Sequence, residues 1–381
     1  MEFVFDVALA KKAIAYIFDI APAKSQDGLP LGVKILASVE GVVFSINGAD
    51  LFAKSGVVAE VIEEGQAVVG LLPLFKAISG FSPLKDGLGT NSIKVKSGGQ
   101  NLTITAKTVY KSKIVNQRRS LSFFDRRVAE LQIISEDKFI KLPVGNLVQG
   151  IRSVLLSSSG SGDATIFSGA LLEVSKNKIK TVGMNGVTLT EFSCSLSADY
   201  DTFSCVLDSS YLARINKLLA KLPADEESLV DVLISDRMFV IKYERLLVGM
   251  SVMSSKFPDY SSVLETKRKS IVMDSEIFLD NLRNVMFSSD KEDDFRVTLN
   301  FYEGELIIKT PTCENDGIPI VSGIDTNVHI DFNIHLLEAC VRNLGAPVFS
   351  LSYKDRYSPV VFVPQDDEAP HSMLTIVAPL K

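Results

Sequence analysis

The chain repeats one pattern of secondary structure three times, with equivalent helices separated by roughly 125–135 residues. Each copy begins with an alternating strand that runs directly into a helix whose apolar residues recur at helical spacing. The chain is therefore constrained to a fold in which one supersecondary unit occurs three times. The three predicted strand–helix pairs are Phe3–Phe5 with Val7–Phe18, Phe139–Lys141 with Val144–Leu155, and Ser270–Val272 with Ser275–Phe287.

A hairpin and a second helix follow in each copy. Alternating runs flank turn residues at Asn47-Gly48, Asn185-Gly186 and Glu303-Gly304, which is typical of β-hairpins. Two helices packed on β-meanders, three times over, predict an α+β fold with many sheet edges that must be covered or paired. The second helices are predicted over Pro73–Ser79, Ser209–Lys221 and Asn333–Leu344.

Charged stretches between the copies mark the predicted domain boundaries. One boundary falls near Ser135–Asp137 and the other at Glu265–Lys269, where a strand predicted at Phe257–Tyr260 gives way to a charged linker. The predicted domains are therefore domain I over 1–135, domain II over 136–265 and domain III over 266–381.

Composition excludes several classes of protein. The chain has 381 residues, of which 46% are hydrophobic, so it can bury several cores. No apolar run is long enough for a membrane span, and the acidic, alternating N-terminus predicts a strand instead of a signal peptide. Four cysteines show no CxxC spacing and form no ligand motif with the three histidines, which predicts thiols in a reducing cytosol and no metal or other cofactor.

An enzyme interpretation finds little support in the motifs. The best candidate phosphate loop, Ser157–Asp163, lacks the GK[ST] ending and lies between a helix and a strand in the wrong order for a P-loop. The chain has no GxSxG elbow, no HExxH and no nucleophile–base–orienter set. A hydrolase whose site the sequence hides is kept only as a remote alternative, and no catalytic residue is assigned.

Two short segments carry a family resemblance. Phe257-Pro258-Asp259-Tyr260 is followed by Val263, and the chain ends on Ile376-Val377-Ala378-Pro379-Leu380-Lys381. Together with Phe295-Arg296, Asp331-Phe332-Asn333 and Ser358-Pro359-Val360, all in the family order, they make the chain resemble the bacterial β sliding clamp, the DNA polymerase III beta subunit, as a divergent member. The resemblance is clearest from about Phe139 to Lys381 and mostly architectural before that.

The resemblance implies a ring-forming DNA clamp fold of three repeated domains, and a groove between domains II and III that receives a short peptide from a partner. Polymerases and other clamp-binding-motif proteins would dock there through hydrophobic anchors. The implied groove residues are Phe167, Met184, Gly186, Val187, Thr188 and Leu189, Pro258, Ser262 and Val263, Phe295, Asn333, Leu336, Tyr357 and Pro359, and the tail Ile376, Val377, Ala378, Pro379, Leu380 and Lys381.

The resemblance also implies a cytoplasmic, nucleoid-associated homodimer that a clamp loader places around duplex DNA without regard to base sequence. Two chains joined head to tail would close the ring, with first-domain Leu102 and Ile104 against Met286 and Phe287 of the other chain. A net charge of -6 does not exclude a basic inner surface, because charge distribution matters more than the sum. The implied DNA-facing residues are Lys11, Lys12, Lys76, Arg152, Arg214, Lys217, Lys221, Arg283 and Arg342.

The sequence departs from the family pattern around the groove. Where many clamps have Thr-Asp-Gly-His-Arg-Leu, this chain has Met184–Leu189 without the His and Arg, and Ser262 replaces a basic residue. The usual Met-Pro-Met-Arg-Leu end is shortened to Ala378–Lys381. The groove is therefore expected to be less basic at its rim, and an adaptor that binds peptides without encircling DNA remains an alternative function.

Overall fold

The computed structural model describes most of the 381-residue chain. The described residues are 1–22, 31–48, 50–83, 91–110, 113–124, 139–158, 168–223, 228–235, 237–264, 268–287, 295–302, 304–315, 317–323, 328–366 and 371–380. Their helices are α1 Val7–Ile20, α2 Leu71–Ser79, α3 Val144–Ser158, α4 Ser209–Leu219, α5 Ser261–Leu264, α6 Ser275–Met286 and α7 Ile334–Leu344.

The strands form antiparallel sheets throughout. They are β1 Glu2–Asp6, β2 Gly32–Ser38, β3 Gly41–Asn47, β4 Leu51–Val57, β5 Ala59–Glu63, β6 Gly65–Gly70, β7 Ser92–Gly98, β8 Asn101–Tyr110, β9 Lys113–Ser122, β10 Ile140–Pro143, β11 Gly169–Met184, β12 Thr188–Asp208, β13 Leu229–Ile234, β14 Met238–Tyr243, β15 Leu246–Ser251, β16 Lys269–Asp274, β17 Arg296–Tyr302, β18 Glu305–Lys309, β19 Ile318–Pro319, β20 Ser322–Gly323, β21 Val328–Asn333, β22 Val348–Tyr353, β23 Val360–Pro364 and β24 His371–Val377.

The chain divides into two compact units. Unit 1 comprises Met1–Gly145 and Arg214–Val252, and unit 2 comprises Asn146–Ala213 and Met253–Lys381. The division falls inside α3 and α4, so it crosses the predicted domain II instead of following its boundaries. The division into three sequence domains stays a prediction, and the units are described separately below.

Unit 1 is built from two sheets. A five-stranded sheet has the order β5-β1-β7-β8-β9, and an eight-stranded sheet has the order β10-β13-β14-β15-β4-β3-β2-β6. Helix α1 begins where Asp6 accepts hydrogen bonds from the backbone nitrogens of Ala8 (2.8 Å) and Leu9 (3.0 Å), which satisfies two of the free donors at a helix start. Its apolar face is buried, and Phe18 stacks on Phe75 of α2 with ring centroids 4.0 Å apart.

Unit 2 also holds two sheets among its described residues. A seven-stranded sheet has the order β11-β12-β24-β23-β22-β16-β20, and a four-stranded sheet has the order β19-β18-β17-β21. Asp274 caps α6, Asn333 caps α7, and α7 ends before Gly345 in the left-handed conformation (φ 67°) that glycine adopts without steric cost. Phe278, Phe349 and Phe362 form a continuous aromatic core.

The large sheets of the two units repeat one another. The run β10-β13-β14-β15-β4-β3 in unit 1 has the same succession as β16-β22-β23-β24-β12-β11 in unit 2. Burial follows the same pattern along Leu246–Ser251 and Met373–Ala378. Two pairs of neighbouring strands can therefore be compared position by position: β4 with β15, which we call the first seam, and β12 with β24, which we call the second seam.

The structure confirms the predicted α+β fold and its repeated helices. The six long helices begin within two residues of the predicted starts and end within three residues of the predicted ends. One local prediction is wrong, because Phe257–Tyr260 is not a strand but irregular chain that leads into the short helix α5. Among the described residues, none of the helices has both the length and the apolar character needed to cross a membrane.

Candidate partner groove and basic helices

An apolar cluster covers one face of the second seam. Its buried members are Val182, Leu189, Val361 and Ile376, which come from four adjacent strands of one sheet. Half-buried side chains pack on this floor and leave part of their apolar surface accessible. These are Leu171, Met184, Phe257, Tyr260, Val263, Leu264, Val363 and Leu374.

The segment Phe257–Tyr260 forms one wall of the cluster. The rings of Phe257 and Tyr260 meet edge to face with centroids 6.2 Å apart. The Tyr260 hydroxyl donates to Oε2 of Glu191 on β12 at 2.6 Å. Burial, followed by this bond and the Glu191 charge, raises the pKa of Tyr260 above its ordinary value. Tyr260 therefore remains a neutral donor that attaches the wall to the sheet.

Arg268 links helix α5, which follows this wall, to the segment that leads into β23. Its guanidinium donates to the carbonyl of Val263 at 2.6 Å and also to the carbonyl of Pro359. Desolvation lowers the pKa of Arg268, and its Nε is buried without a hydrogen-bond partner among the described residues. A cation held in this way costs free energy. The compensating result is that one side chain holds two segments that are far apart in the sequence.

Another wall, which we call the tail wall, is formed by the β11–β12 turn and the residues that follow β24. Asn185 accepts from the backbone nitrogens of Val187 (3.0 Å) and Thr188 (2.7 Å), and Gly186 takes a positive φ of 87°. Beyond β24, the nitrogen of Ala378 donates to the Val187 carbonyl at 2.8 Å. The nitrogen of Leu380 donates to the Asp331 carbonyl at 2.8 Å, so the terminus is fixed at two points.

Phe295, Asn333 and Leu336 meet at the start of α7. The carbonyl of Phe295 accepts from Ile334 at 2.9 Å, and the Phe295 ring packs edge-on against His335 with centroids 4.7 Å apart. Phe295 has a positive φ of 54°, an unfavourable conformation for an aromatic residue. Because Leu380 is attached to the strand that leads into α7, this region adjoins the tail wall.

The predicted groove residues differ in where they lie relative to the apolar cluster. Met184, Leu189, Val263 and Ile376 belong to the apolar cluster. Thr188 and Val377 are the strand neighbours of Leu189 and Ile376, so their side chains lie on the opposite face of the sheet, whereas Val187 and Tyr357 are exposed. Gly186, Pro258, Ser262, Pro359, Ala378, Pro379 and Leu380 lie in the segments that form the walls, and Phe167 and Lys381 lie outside the described residues.

Sequence reasoning missed four residues that shape this site. Val182 and Val361 form half of the buried floor, and Glu191 and Arg268 hold the walls. Strand alternation around Leu189 and within Val360–Val363 could have identified the first two. No local pattern identifies Arg268, because its partners are 5 and 91 residues away in the chain.

The predicted DNA-facing residues lie on or beside the six long helices, and several are paired within unit 1. Lys217 and Lys221 both contact Asp19, the former at 2.9 Å. Burial opposes ionisation of Asp19, but the two ammonium groups outweigh it and lower its pKa. Arg214 donates to the Ala21 carbonyl, and Lys11 donates to the Phe81 carbonyl at 2.6 Å.

Unit 2 repeats the arrangement of one carboxylate with two cations. Glu338 on α7 accepts from Arg342 at 2.9 Å and from Arg283 on α6 at 3.4 Å. The two guanidinium groups outweigh the effect of burial and lower the pKa of Glu338. Lys76 on α2 and Arg152 on α3 are exposed and form no ion pair with another described residue. Asp280 also accepts from Arg283 at 2.7 Å, so the group around Glu338 has no net charge, whereas the group around Asp19 keeps one positive charge.

The predicted ring interface needs correction in unit 1. Leu102 and Ile104 are fully buried, and their strand β8 lies between β7 and β9, so neither offers an accessible surface. The sheet ends at β9, which carries exposed Ile114 and Val115 and pairs only with β8 among the described residues. In unit 2, Phe287 is 82% exposed at the end of α6 and Met286 is half-buried.

The described residues contain no group of three or more His, Cys, Asp or Glu that could hold a metal ion. Burial raises the pKa of the Cys194 thiol to about 11 and those of Cys205 and Cys340 to about 12. These thiols are therefore protonated and unreactive near neutral pH.

The comparisons with known proteins agree with the fold. No family model matches the chain. It is 20% identical over 367 residues to the beta sliding clamp of Rickettsia bellii (strain RML369-C), covering 92% of this chain and 91% of the relative. It is 23% identical over 260 residues to the beta sliding clamp of Bacillus subtilis (strain 168), covering 65% and 64% of the two chains.

Solved structures match along the whole chain. The DNA polymerase sliding clamp from Bacillus subtilis has a TM-score of 0.86 at 16% identity, covering 100% of this chain and 99% of that one. The DNA polymerase III beta subunit from Thermotoga maritima gives 0.85 at 16% identity, with the same coverage. The Pseudomonas aeruginosa sliding clamp bound to griselimycin gives 0.84 at 16% identity, again with the same coverage. The resemblance read from the short motifs is confirmed, and the low identities fit a divergent member.

Proposed function

We propose that this chain, which has the fold of the bacterial sliding clamps, is a DNA sliding clamp: a non-catalytic processivity factor that tethers a polymerase to its template. The observation that carries the proposal is the apolar cluster of the second seam. In a chain with the clamp fold from end to end, a floor of Val182, Leu189, Val361 and Ile376 is bordered by the tail and by Phe257–Tyr260.

The groove would bind a short linear peptide through its apolar side chains. Half-buried Met184, Val263 and Leu374 surround the floor and can lose water when a partner side chain enters. Tyr260 and Arg268 hold the walls before the peptide arrives, which reduces the entropy lost on binding. The clamp would thereby bind many partners that share only a few apolar anchors.

The rim of this groove is expected to differ from that of most clamps in charge. Val187 and Thr188 occupy the positions where the family pattern has His and Arg, and Ser262 stands where it has a basic residue. Glu191 is engaged by Tyr260. Asp259 accepts from the backbone nitrogen of Ser261 at 3.0 Å and from its hydroxyl at 2.8 Å, and these bonds lower the pKa of Asp259. Partner peptides with an acidic flank would therefore gain less here than at a basic rim.

Two chains would close head to tail into a ring. The free edge of β9 and the exposed Phe287 are surfaces of different units, as a heterologous contact requires. Strand β9 pairs with no second strand among the described residues and carries exposed Ile114 and Val115, so a strand of the second chain could extend its sheet. Arg119 holds β9 in place by donating to the Ala77 carbonyl and, at 3.2 Å, to the Gly80 carbonyl at the end of α2.

The helices would contact DNA weakly and without regard to sequence. The cluster around Asp19 keeps one positive charge and the cluster around Glu338 and Asp280 is neutral, and in both the carboxylates compete with phosphate for the same cations. Contacts of this kind favour sliding, since the ring and not the helix cations would retain the protein on DNA. A clamp loader would be needed to open the ring.

The same pairing also favours a second candidate, an adaptor of the clamp fold that binds peptides and does not encircle DNA. Most of the predicted DNA-facing cations donate to carboxylates or carbonyls within their own unit. Both candidates require the groove, but only the clamp requires a closed ring.

The ring is tested by charging both predicted contact surfaces. Ile114→Asp combined with Phe287→Asp should convert a dimer to a monomer in sedimentation equilibrium, because each charge would be buried without a partner. Lys107→Asp on the neighbouring strand is the control for an added carboxylate on the same sheet. A dimer that survives the double substitution excludes these two surfaces as the contact.

The groove is tested with a fluorescein-labelled peptide that carries two adjacent large apolar side chains. Val263→Asp should weaken binding at least tenfold, because it places a charge on the half-buried wall of the floor. Val58→Asp, a similar change at an exposed residue of unit 1, should leave binding unchanged. Equal affinities for both variants and the original protein would refute a peptide site at the second seam.

A further inference from the structure

The face of the first seam that is next to α1 carries a cavity of about 320 Å³ in unit 1. It lies between α1 and the start of β15, beside the turn that joins β14 to β15. Its size is at the lower end of the range of roughly 300–1,000 Å³ that is usual for small-molecule sites. The residues on which its chemistry depends are Leu9, Lys12, Tyr16, Ser55, Glu244 and Arg245.

The equivalent corner of unit 2 is closed by its own side chains. The offset that relates the first residues of α1 and α3, Val7 and Val144, also relates Lys12 to Gln149 and Ser55 to Phe192. The alignment of Leu246 with Met373 then makes Glu244 the equivalent of His371. Gln149 lies 3.0 Å from the His371 ring nitrogen, and the Phe192 and His371 rings stack with centroids 5.2 Å apart.

The cavity therefore follows from particular substitutions and not from the fold. Where unit 2 has the large Phe192 ring, unit 1 has the small, buried Ser55 beside Gly56. Where unit 2 has Gln149 bonded to His371, unit 1 has Lys12, whose side chain extends beside the Tyr16 ring with Nζ 5.8 Å from the centroid. The same backbone thus holds a filled corner in one repeat and an open one in the other.

The lining selects for a small anion with an apolar body. Lys12 and Arg245 supply two cations, and one guanidinium nitrogen of Arg245 is occupied by the Glu40 carbonyl at 3.1 Å. Leu9 (48% exposed) and Val58 (60% exposed) present apolar surface to the cavity. Glu244 would repel a polyanion such as a DNA backbone, whereas a single anionic group can reach the cations while an aromatic body covers Leu9 and Tyr16.

We propose that this cavity, the α1 corner of unit 1, is a second ligand site that binds an organic anion with an aromatic or aliphatic body and one carboxylate, sulfonate or phosphate group. The site is separate from the peptide groove and does not depend on ring formation. Lys12, named above among the DNA-facing residues, would contact this ligand instead of DNA.

The test uses 8-anilino-1-naphthalenesulfonate, an aromatic monoanion whose fluorescence rises in apolar surroundings. It is titrated into the full-length protein carrying Val263→Asp, so that dye bound in the peptide groove does not contribute. Ser55→Phe should weaken dye binding at least tenfold, because it introduces the ring that fills the equivalent corner of unit 2. Lys12→Gln should weaken it about three- to tenfold by removing one of two cations.

Controls separate this result from misfolding and from adventitious binding. Circular dichroism and the melting temperature show whether Ser55→Phe folds, and Lys12→Gln, an exposed helix position, keeps the proposal testable if it does not. Lys76→Gln on α2 is the matched control and should leave the titration unchanged. Dye affinity that is the same in the original protein, folded Ser55→Phe and Lys12→Gln would overturn the proposal.

A second arm identifies the source of the anion. A free aryl carboxylate such as indole-3-acetate and a short peptide with adjacent Phe and Asp residues each compete with the dye. Displacement by the free acid indicates a metabolite, and displacement by the peptide alone indicates a segment of another protein. Failure of both to displace the dye, together with dye affinity that does not depend on Lys12, would contradict an anion site at this corner.

Discussion

The first and second seams have the same strand register but carry different side chains on both faces. On the face away from the long helices, Phe52 of the first seam lies so close to Gly249 that a Cβ there would be 2.3 Å from the ring. The equivalent residues of the second seam are Leu189 and Ile376, two aliphatic side chains that form part of the buried floor of the apolar cluster. On the helix face the large rings are in the second seam, where Phe192 stacks on His371, and the first seam has the cavity.

This difference shows how a repeated fold acquires distinct sites without a change in backbone. A strand directs alternate residues to opposite faces, so Phe52 and Ser55 can change independently of each other. In the first seam, the Phe52 ring covers Gly249 on one face, and the small Ser55 leaves room for a cavity on the other face. The location of each site is thus decided by two or three side chains at a seam that the fold supplies twice.

The largest expected effect comes from removing the ring that seals the first seam. Phe52→Ala should lower the free energy of unfolding by about 3–5 kcal/mol, since it leaves a void above Gly249, and should not change peptide binding. Leu189→Ala should cost about 2–5 kcal/mol and weaken the peptide as well. Urea unfolding followed by circular dichroism, with peptide anisotropy, separates the two. If Phe52→Ala weakened the peptide as much as Leu189→Ala, the seams would not be independent.

A transplant of side chains sharpens the comparison. Gly249→Ile alone should destabilise the protein by about 1–3 kcal/mol, because the new side chain overlaps Phe52. Combined with Phe52→Leu, it recreates the Leu189–Ile376 pair, and the two changes should then couple favourably by about 0.5–3 kcal/mol. The coupling is read from a double-mutant cycle of urea midpoints. Additive effects would mean that the seams are not packed equivalently.

The wall of the second seam should depend on Arg268. Arg268→Met removes the donors to the Val263 and Pro359 carbonyls, so we expect peptide affinity to fall about tenfold, or about 1.4 kcal/mol. Arg268→Lys should recover part of the affinity. Arg152→Met, the same change on an exposed helix position, is the control and should have no effect. A loss of stability with unchanged peptide affinity would restrict Arg268 to a purely structural role.

The smallest effect concerns the pH dependence of the same wall. The pKa of Tyr260 is raised on folding, so its stabilising contribution is complete below the unfolded value of about 10 and is lost as pH rises toward the folded value. Tyr260→Phe should therefore lower stability by about 1 kcal/mol at pH 8, and the difference should shrink above pH 10. Parallel stability curves for the two proteins across this range would contradict a raised pKa.

The sequence predicted the regular elements because their signals are local. Apolar spacing located all six long helices, and Asn185-Gly186 and Gly304 marked hairpin turns correctly. It failed where pairing between distant segments decides the outcome. Leu102 and Ile104 alternate as an edge strand would, but β9 pairs with β8 and makes it an inner strand. Phe257–Tyr260 was also predicted as a strand, yet it contains Pro258 and Asp259, which strands disfavour, and Tyr260 bonds to Glu191 instead of joining a ladder.

The groove was predicted from a resemblance, and the cavity was not predicted at all. Short motifs identified Val263 and Ile376, but Val361 and Arg268 become visible only when the strands are assembled. The cavity depends on a comparison between Ser55 and Phe192, which are equivalent only in the folded register. Both failures have the same cause, since seams join residues that are far apart in the chain.

The central claim is tested most directly by retention on DNA of different topology. Labelled protein is placed on a nicked circular plasmid with a clamp loader and ATP, half of the complex is linearised with a single-cutting nuclease, and both are passed over a sizing column in high salt. A sliding clamp should remain with the circles and be lost from the linear molecules, and blocked ends should restore retention. Equal loss from circles and linear DNA would contradict the closed ring and favour the adaptor.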